Sequence, residues 1–598
     1  MRSVSVSGVF KDGWCASTRQ VNSQRRIPVI RALPEYAKQG FHATSPFEHI
    51  TSERGFLPLH DPQRRLQLAS HDTAAAEWEA ALTELPHLAA AAAAAAAAIT
   101  TTGSGGSTPP QTPPSSSHVI KGPLRRRLER LPPFPLHKLL PQSASSSPPP
   151  PLPASCSSSS QGTVTAAASP TTATAAAVTA AEDGGGGGGG SELWRAYSVL
   201  SFLAHGYMWC EPGPPPAVLP AVLAVPWAAV ASAIGMPPVL TYATYNLLNW
   251  RRLETEHDSS VALGNIVCLQ NFLGGPDEEW FRCVHVEVEA QAGPAVAGLT
   301  AMQTAAAAGD AVGVTAGLRR ITRALQLMQS SLSRMGEGCD PYIYYHRVRT
   351  PMSGWRGNPA LPQGLIYEGV SDVPVQLYGE TGAQSSVLPA FDAALGIEHD
   401  LVWLRDYLDA MTSHMPPHHR AFIAQLAAAN TGPGNVRAFV LSYSGGGSDI
   451  PAPSSASDAA VSTNTDGRTG STAVVGCSTD GRSTDGNGGR PVNNEGVHGA
   501  VSRSELRDAY NEAVMELERF RGQHRGFAYS YIAKWGAKGQ EERTKKAAAV
   551  EGGEGDQDGN KPQPQEGQQQ QEQRGTGGSD FMPALGAYRE TTSRHVIR

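Results

Sequence analysis

The chain has no CxxC pair, no long basic block and no strongly apolar run approaching the roughly 18 residues of a membrane-spanning helix. Each absence excludes something. The seven cysteines, at 15, 156, 210, 268, 283, 339 and 477, are scattered and odd in number. That argues against a disulfide framework and against a cysteine-held zinc or iron–sulfur centre, and it suits a reducing compartment. With 48 basic against 54 acidic residues and a net charge of −6, neither nucleic acid nor an anionic membrane surface is an expected partner. The alanine run at 89–98 is too short to cross a bilayer, and the apolar stretch at 218–235 is broken by Pro220 and Pro226. Glycine tracts such as GSGG lack the strand–turn–helix setting of a nucleotide loop, and no catalytic triad or metal-ligand cluster is recognisable.

What is present divides unevenly. Of 598 residues only 40% are hydrophobic, with 63 Gly and 46 Pro, so length overstates the number of domains. Three low-complexity stretches, 89–190, 444–502 and 538–574, read as disordered or flexible inserts because their composition gives no reason to bury a core. The first 30 residues hold four Arg, one Lys and one acid, a composition shared by organellar transit peptides and by untargeted leaders. Between these lie blocks whose apolar residues recur at i, i+3, i+4 and i+7, while strand-like alternation is scarce. The expected class is mainly α.

The block at 503–537 carries an unusual feature. Leu506, Tyr510, Ala513, Leu517, Phe520, His524, Phe527 and Tyr531 follow steps of four and three, so they share one helix face. An imidazole buried in that stripe without a partner costs roughly 1–3 kcal/mol, so it should be bonded to something. Two partners fit: a backbone carbonyl of the core, or a haem iron held by a neutral imidazole in an apolar slot. Arg521, three residues earlier beside the same face, suits a haem propionate. Spacing leaves both readings open.

Longer motifs narrow the choice. CDPYIYYHRVRTPMSGWRGNPALPQGLIYEGV at 339–370 and GETGAQSSVLPAFDAALGI at 379–397 resemble signatures of the indoleamine 2,3-dioxygenase family. PPVLTYA at 237–243, HVEVEAQAG at 285–293, MPPHHRAF at 415–422, FRGQHRGFAYSYI at 520–532 and GTGGSDFM at 575–582 add to the match, in family order, with the inserts falling between them. The resemblance implies a small N-terminal mixed α/β domain, from 31–88 and 191–236. It also implies a large all-α haem domain, from 237–443 and 503–537, and a closing loop with a C-terminal helix at 575–598. It implies haem b, one per chain, and cleavage of the pyrrole ring of L-tryptophan or a related indoleamine by dioxygen, giving N-formylkynurenine at the start of the kynurenine pathway. An electron donor would keep the haem ferrous.

Carried over residue by residue, the resemblance makes His524 the proximal iron ligand, Arg521 a propionate contact and Asp392 its acidic partner. Arg349 becomes the clamp for the substrate carboxylate, a task suited to a planar guanidinium. Phe281 and Tyr344 become aromatic walls, with Tyr242 and Tyr245 lining the indole pocket. Thr381 falls near the haem edge and the substrate amine, and Thr576 on the mobile loop. Two positions depart from the mammalian pattern. His285 stands where a serine is usual, and there it would donate to bound oxygen, meet the indole N–H or ligate iron in the absence of substrate. Tyr245 replaces a smaller residue and narrows the pocket. The rival reading is an oxygen-binding haem protein without turnover, myoglobin-like or a sensor; a scaffold exploiting the inserts is a third. Neither rival requires Arg349, Phe281, Thr381 and the closing loop together. A cytoplasmic location is expected, with plastid or mitochondrion the alternative, and no membrane span.

Overall fold

The computed structural model describes residues 45–102, 121–140, 188–257, 260–445, 501–539 and 581–598. Its helices and strands run in the order α1 (Thr73–Thr102), α2 (Pro123–Glu129), α3 (Leu136–Leu139), α4 (Gly188–Trp209), β1 (Val218–Leu219) and α5 (Ala221–Ala233). A short ribbon, β2 (Trp250–Arg252) and β3 (Ile266–Cys268), leads into α6 (Pro276–Val296), α7 (Leu299–Ala307) and α8 (Ala311–Ser333). The single turn α9 (Pro341–Ile343) is followed by β4 (Leu365–Tyr367), β5 (Ser371–Val375), α10 (Val387–Leu395), α11 (Val402–Thr412), α12 (Pro417–Ala429) and α13 (Val436–Gly445). Helices α14 (Arg503–Ala528) and α15 (Phe581–Ser593) complete the chain. The mainly α expectation holds. Strand β1 pairs in parallel with β4, which pairs antiparallel with β5, so a small sheet ties the early chain to the later one.

Local chemistry sets the two helices that matter most. Helix α6 begins at Pro276 after Gly275, whose φ of 103° only glycine adopts without strain, and Asp277, Glu278 and Glu279 place negative charge on its N-terminal turn. The Glu278 carboxylate accepts from the backbone N–H groups of Phe272, Leu273 and Gly274 at 2.7, 2.9 and 2.8 Å, fixing the entry loop. Farther along, Gly293 lets the early chain close on α6, since a Cβ there would meet the Ser52 carbonyl at 2.7 Å. Helix α14 starts with Ser502 accepting from Glu505 N–H at 3.1 Å, the hydroxyl half of a capping box. Its stripe is buried as the period predicts: Leu506, Tyr510, Ala513 and Leu517 are wholly inaccessible. Helix α8 packs against both α6 and α14.

Part of the stretch read from composition as an insert folds. Helix α1 runs through the alanine run to Thr102, and residues 121–140 bury Leu124, Leu128 and Phe134. The reason is local. Arg125 is buried with its side chain donating to the Tyr207 carbonyl at 2.9 Å, and Glu211 accepts from Gly122 and Arg125 N–H at 2.8 and 2.9 Å. A mean composition over a hundred residues conceals one such apolar, arginine-anchored segment. By length and composition alone the helical stretch 73–98, with mean hydropathy 1.2, is long and apolar enough to cross a membrane. Its Trp78, Leu82 and Leu85 are instead buried in the core. Apart from the insert ends at 188–190, 444–445, 501–502 and 538–539, the remainder of the three inserts lies outside the described residues, as does Thr576.

Several histidines are built into this core as neutral rings. His205 donates from Nδ1 to the Pro351 carbonyl at 2.8 Å and accepts the Leu240 N–H on Nε2 at 2.9 Å, which requires one proton on the ring. Burial holds His205 and His419 down at about 3 and His414 at about 4. In the unfolded chain each titrates near 6.5, so between these values the unfolded state binds more protons and stability falls as pH falls, by roughly 1.4 kcal/mol per pH unit per ring. The buried carboxyls of Glu289 and Glu380, pushed up to about 7 and about 8, oppose this above about pH 4.5, but two groups do not outweigh three. Thermal unfolding should therefore show a lower midpoint near pH 4.5 than near pH 6.5. An unchanged or higher midpoint at the acid end would contradict the neutral-core reading.

Candidate active site

Between α6 and α14 the packing leaves a cavity with about 1310 Å³ of atom-free space, its mouth included. Phe281 and His285 face it from α6, and Arg521, His524 and Phe527 from α14. The end of α8 contributes Leu332, the loop before α10 contributes Thr381 and Gly382, and Phe581 and Tyr588 of α15 close one side. The histidine of the apolar stripe thus faces a space rather than a packed neighbour.

His524 is only half-buried, because the part of its ring that is not packed faces the cavity. Burial, and then the nearby His285, hold it at about 4, so it is neutral throughout the physiological range. Among the described residues no hydrogen-bond partner meets either of its ring nitrogens. Gly382 comes close on the Nε2 side, where an added Cβ would stand 3.9 Å from that nitrogen.

Arg521 lies one turn before His524 and is fully buried. Its guanidinium donates to Asp392 at 2.6 Å and to Thr592, and it lies 4.1 Å over the Tyr588 ring. Burial alone would raise the Asp392 carboxyl, but Arg521 and then His399, at 3.2 Å, pull it below its usual range. Asp392 is therefore not on the cavity wall; it holds the arginine that is. The buried Nε of Arg521 still lacks a partner.

On the opposite wall, His285 Nδ1 lies 2.7 Å from the Phe281 carbonyl. A carbonyl only accepts, so the proton sits on Nδ1 and Nε2 carries the lone pair; burial keeps this form by lowering the ring's pKa. The Phe281 ring stands 4.4 Å from His285 and 4.8 Å from Tyr344, giving a continuous aromatic wall. Tyr344 and Tyr531 both ride on π-helical turns, Tyr344–Val348 and Tyr529–Ala533, and meet edge to face at 5.6 Å. Such turns recur at functional sites because the extra residue re-aims a side chain. Thr381 borders the cavity while its hydroxyl accepts from Ala383 N–H at 3.4 Å.

Three of the sequence-derived residues stand behind the wall. Tyr242 is buried with its ring 6.1 Å from His285, and burial followed by Glu289 raises its phenol well above the ordinary value. Tyr245, on the π-helical turn Ala243–Leu247, lies beneath Arg282, whose guanidinium is 4.6 Å over the ring. Neither Tyr242 nor Tyr245 is among the residues bordering this cavity, and both are buried in the core. Arg349 lies 4.9 Å over Tyr345, also off the wall; burial lowers its pKa while Tyr344 and Tyr345 raise it. Conversely, Glu380 lines the cavity unforeseen. It takes a hydrogen bond from Asn246 at 3.0 Å, and burial pushes it up to about 8, so it is a neutral acid at pH 7. Tyr407 and Tyr588 were missed as well, because α11 and α15 show no chemical signature in sequence.

The walls suit a haem by chemistry. A haem iron would need a neutral nitrogen donor, and His524 offers an imidazole without a hydrogen-bond partner among the described residues. The haem propionates need a buried cation, and Arg521 keeps an unpaired Nε. Among the described residues no group of three or more His, Cys, Asp or Glu is disposed to hold a bare ion.

A family model described as indoleamine 2,3-dioxygenase matches residues 189–468 and 492–595. The chain is 37% identical over 248 residues to indoleamine 2,3-dioxygenase 2 of Homo sapiens, covering 41% of this chain and 59% of that protein. To indoleamine 2,3-dioxygenase 1 of Rattus norvegicus it is 33% identical over 249 residues, 41% of this chain and 60% of the relative. A myoglobin of Haliotis madaka is 35% identical over 235 residues, 39% of this chain and 59% of that protein. The aligned region thus spans less than two thirds of each of these relatives. With the family model covering more than half of its residues and the paired histidines facing one cavity, this chain belongs to the indoleamine 2,3-dioxygenase family.

Proposed function

We propose that this protein is a haem-dependent dioxygenase that opens the pyrrole ring of L-tryptophan, or a related indoleamine, with dioxygen to give N-formylkynurenine. The observation that carries the reading is the unpartnered, neutral His524 facing His285 across an apolar cavity. When bound there, haem supplies the redox-active iron at which dioxygen is activated. The chain's own residues do the rest. His524 would hold the haem iron, and Arg521, steadied by Asp392 and Thr592, would pair with a propionate. Phe281 and Tyr344 offer aromatic faces against which an indole lies flat. His285, its proton committed to the Phe281 carbonyl, presents an acceptor at Nε2, and the indole N–H is the donor that matches it. This tautomer argues against His285 donating to bound oxygen. Thr381 supplies a hydroxyl near the substrate amine. Apolar side chains such as Leu332, Leu388 and Phe581 exclude water, which strengthens every polar contact inside.

Arg349 is the proposed carboxylate clamp. It lies against Tyr345 and within electrostatic reach of Tyr344, so a modest swing of its long side chain brings the guanidinium to the wall Tyr344 forms. A charge-assisted pair there is worth about 1.5–3 kcal/mol.

Two measurements test the reading. His524→Ala should lose the Soret absorbance of the haem-loaded protein while the fold persists by circular dichroism, and added imidazole should restore part of it. Retention of a wild-type spectrum would remove His524 from the iron. In the second, reduced, haem-loaded protein is incubated with L-tryptophan under heavy-isotope dioxygen and the product is weighed by mass spectrometry. N-formylkynurenine carrying both heavy atoms is expected, with kcat/KM reduced roughly 10- to 100-fold in Arg349→Ala. A stable oxygenated spectrum without product would instead make the protein an oxygen binder.

A further inference from the structure

Cys268 and Cys283 stand fifteen positions apart in the sequence, which gives no reason to pair them. The fold does. Cys268 ends β3 and Cys283 lies in the second turn of α6, and their sulfur atoms stand 3.9 Å apart. Each thiol also points at the other element: Cys283 Sγ lies 3.7 Å from the Ile266 carbonyl and Cys268 Sγ 3.7 Å from the Glu279 carbonyl. Among the described residues Cys210 and Cys339 show no such pairing. As a residue Cys268 is more exposed than the buried Cys283.

We propose that Cys268 and Cys283 form a peroxide-oxidisable dithiol whose disulfide fastens the back of α6 to the β2–β3 ribbon. The chemistry runs in two balanced steps. The Cys268 thiolate attacks one oxygen of hydrogen peroxide, breaking the O–O bond; the sulfur becomes a sulfenic acid and the departing oxygen takes protons to leave as water. The Cys283 sulfur then attacks that sulfenic sulfur, forming the S–S bond and expelling the second water. Two thiols lose two protons and two electrons, and one peroxide becomes two waters.

The surroundings favour Cys268 as the attacking group. The hydrogen bond from Cys283 lowers its pKa most, and Arg282 lowers it further, against burial and the Glu279 carboxylate. Closing the sulfur separation from 3.9 Å to the about 2.05 Å of a disulfide is within reach of side-chain rotation. The consequence lies on the other face of the helix. Phe281 and His285 flank Cys283 at two residues on either side, and residues two apart do not share a face, so the bond would grip α6 from behind the cavity wall. A helix pinned there holds its aromatic wall at a fixed distance from α14.

The test uses the full chain, exposed to stoichiometric hydrogen peroxide, then alkylated, digested without reductant and read by mass spectrometry. A cross-linked Cys268–Cys283 peptide pair, lighter by two hydrogen atoms and separated again by a dithiol reductant, is expected. Cys283→Ser should trap Cys268 as a sulfenic acid that takes up a 1,3-dione label, and Cys268→Ser should reduce that label to background. Conversion of Cys268 to sulfinic acid with no cross-link, a disulfide to another cysteine, or labelling unchanged by Cys268→Ser would each overturn the proposal. Slower amide exchange across α6 after oxidation would report the pinned helix, and unchanged exchange would remove the proposed effect on the wall.

Discussion

Helix α8 packs against both α6 and α14, the two helices whose histidines face the cavity. Its Leu318, Ile321 and Leu325 are buried in the core that the three helices share. Close-packed interiors tolerate few voids, because lining atoms lose their dispersion partners on one side. The space between the two helices is therefore a feature the rest of the chain holds open. Gly293 admits the early chain against the outer end of α6, and α15 lies along α14, so both walls are buttressed from outside.

Burial then sets the chemistry of the groups that face that space. A low-dielectric wall disfavours the charged form of every ionisable group, so the imidazoles of His285 and His524 are neutral and Glu380 is protonated. The Arg521 guanidinium is paired with Asp392, whose carboxyl it and His399 hold below its usual range, and Thr592 accepts another of its N–H groups. Removing one member of such a pair would strand the other, which is why a buried ion pair at a wall is better read as positioning than as added stability. The result is a wall with one fixed positive charge, two lone-pair donors and a largely apolar remainder.

The same fold governs where the chain tolerates length. Helix α13 ends at Gly445 and α14 begins at Arg503, and the two helices pack against each other. Whatever joins them closes between neighbouring helices, and closure entropy grows only slowly with the number of residues in the connection. Long low-complexity stretches between family motifs are thereby compatible with one core.

Sequence alone determined a good deal. The steps of four and three from Leu506 to Tyr531 placed His524 on a buried face, and the long motifs around Arg349 and Thr381 pointed to the family. Those signals are local: a helix period and a contiguous string are properties of neighbouring residues. Every decision made across the fold lay beyond their reach. Tyr242 and Tyr245 stand behind the wall, Glu380 stands on it, residues 121–140 pack into the core, and Cys268 meets Cys283 across a ribbon and a helix. None of these could be read from spacing. Helical and strand periods fix which face a residue occupies on its own element, whereas the neighbour that face meets depends on how α6, α8 and α14 pack, and packing is decided by side chains far apart in the chain.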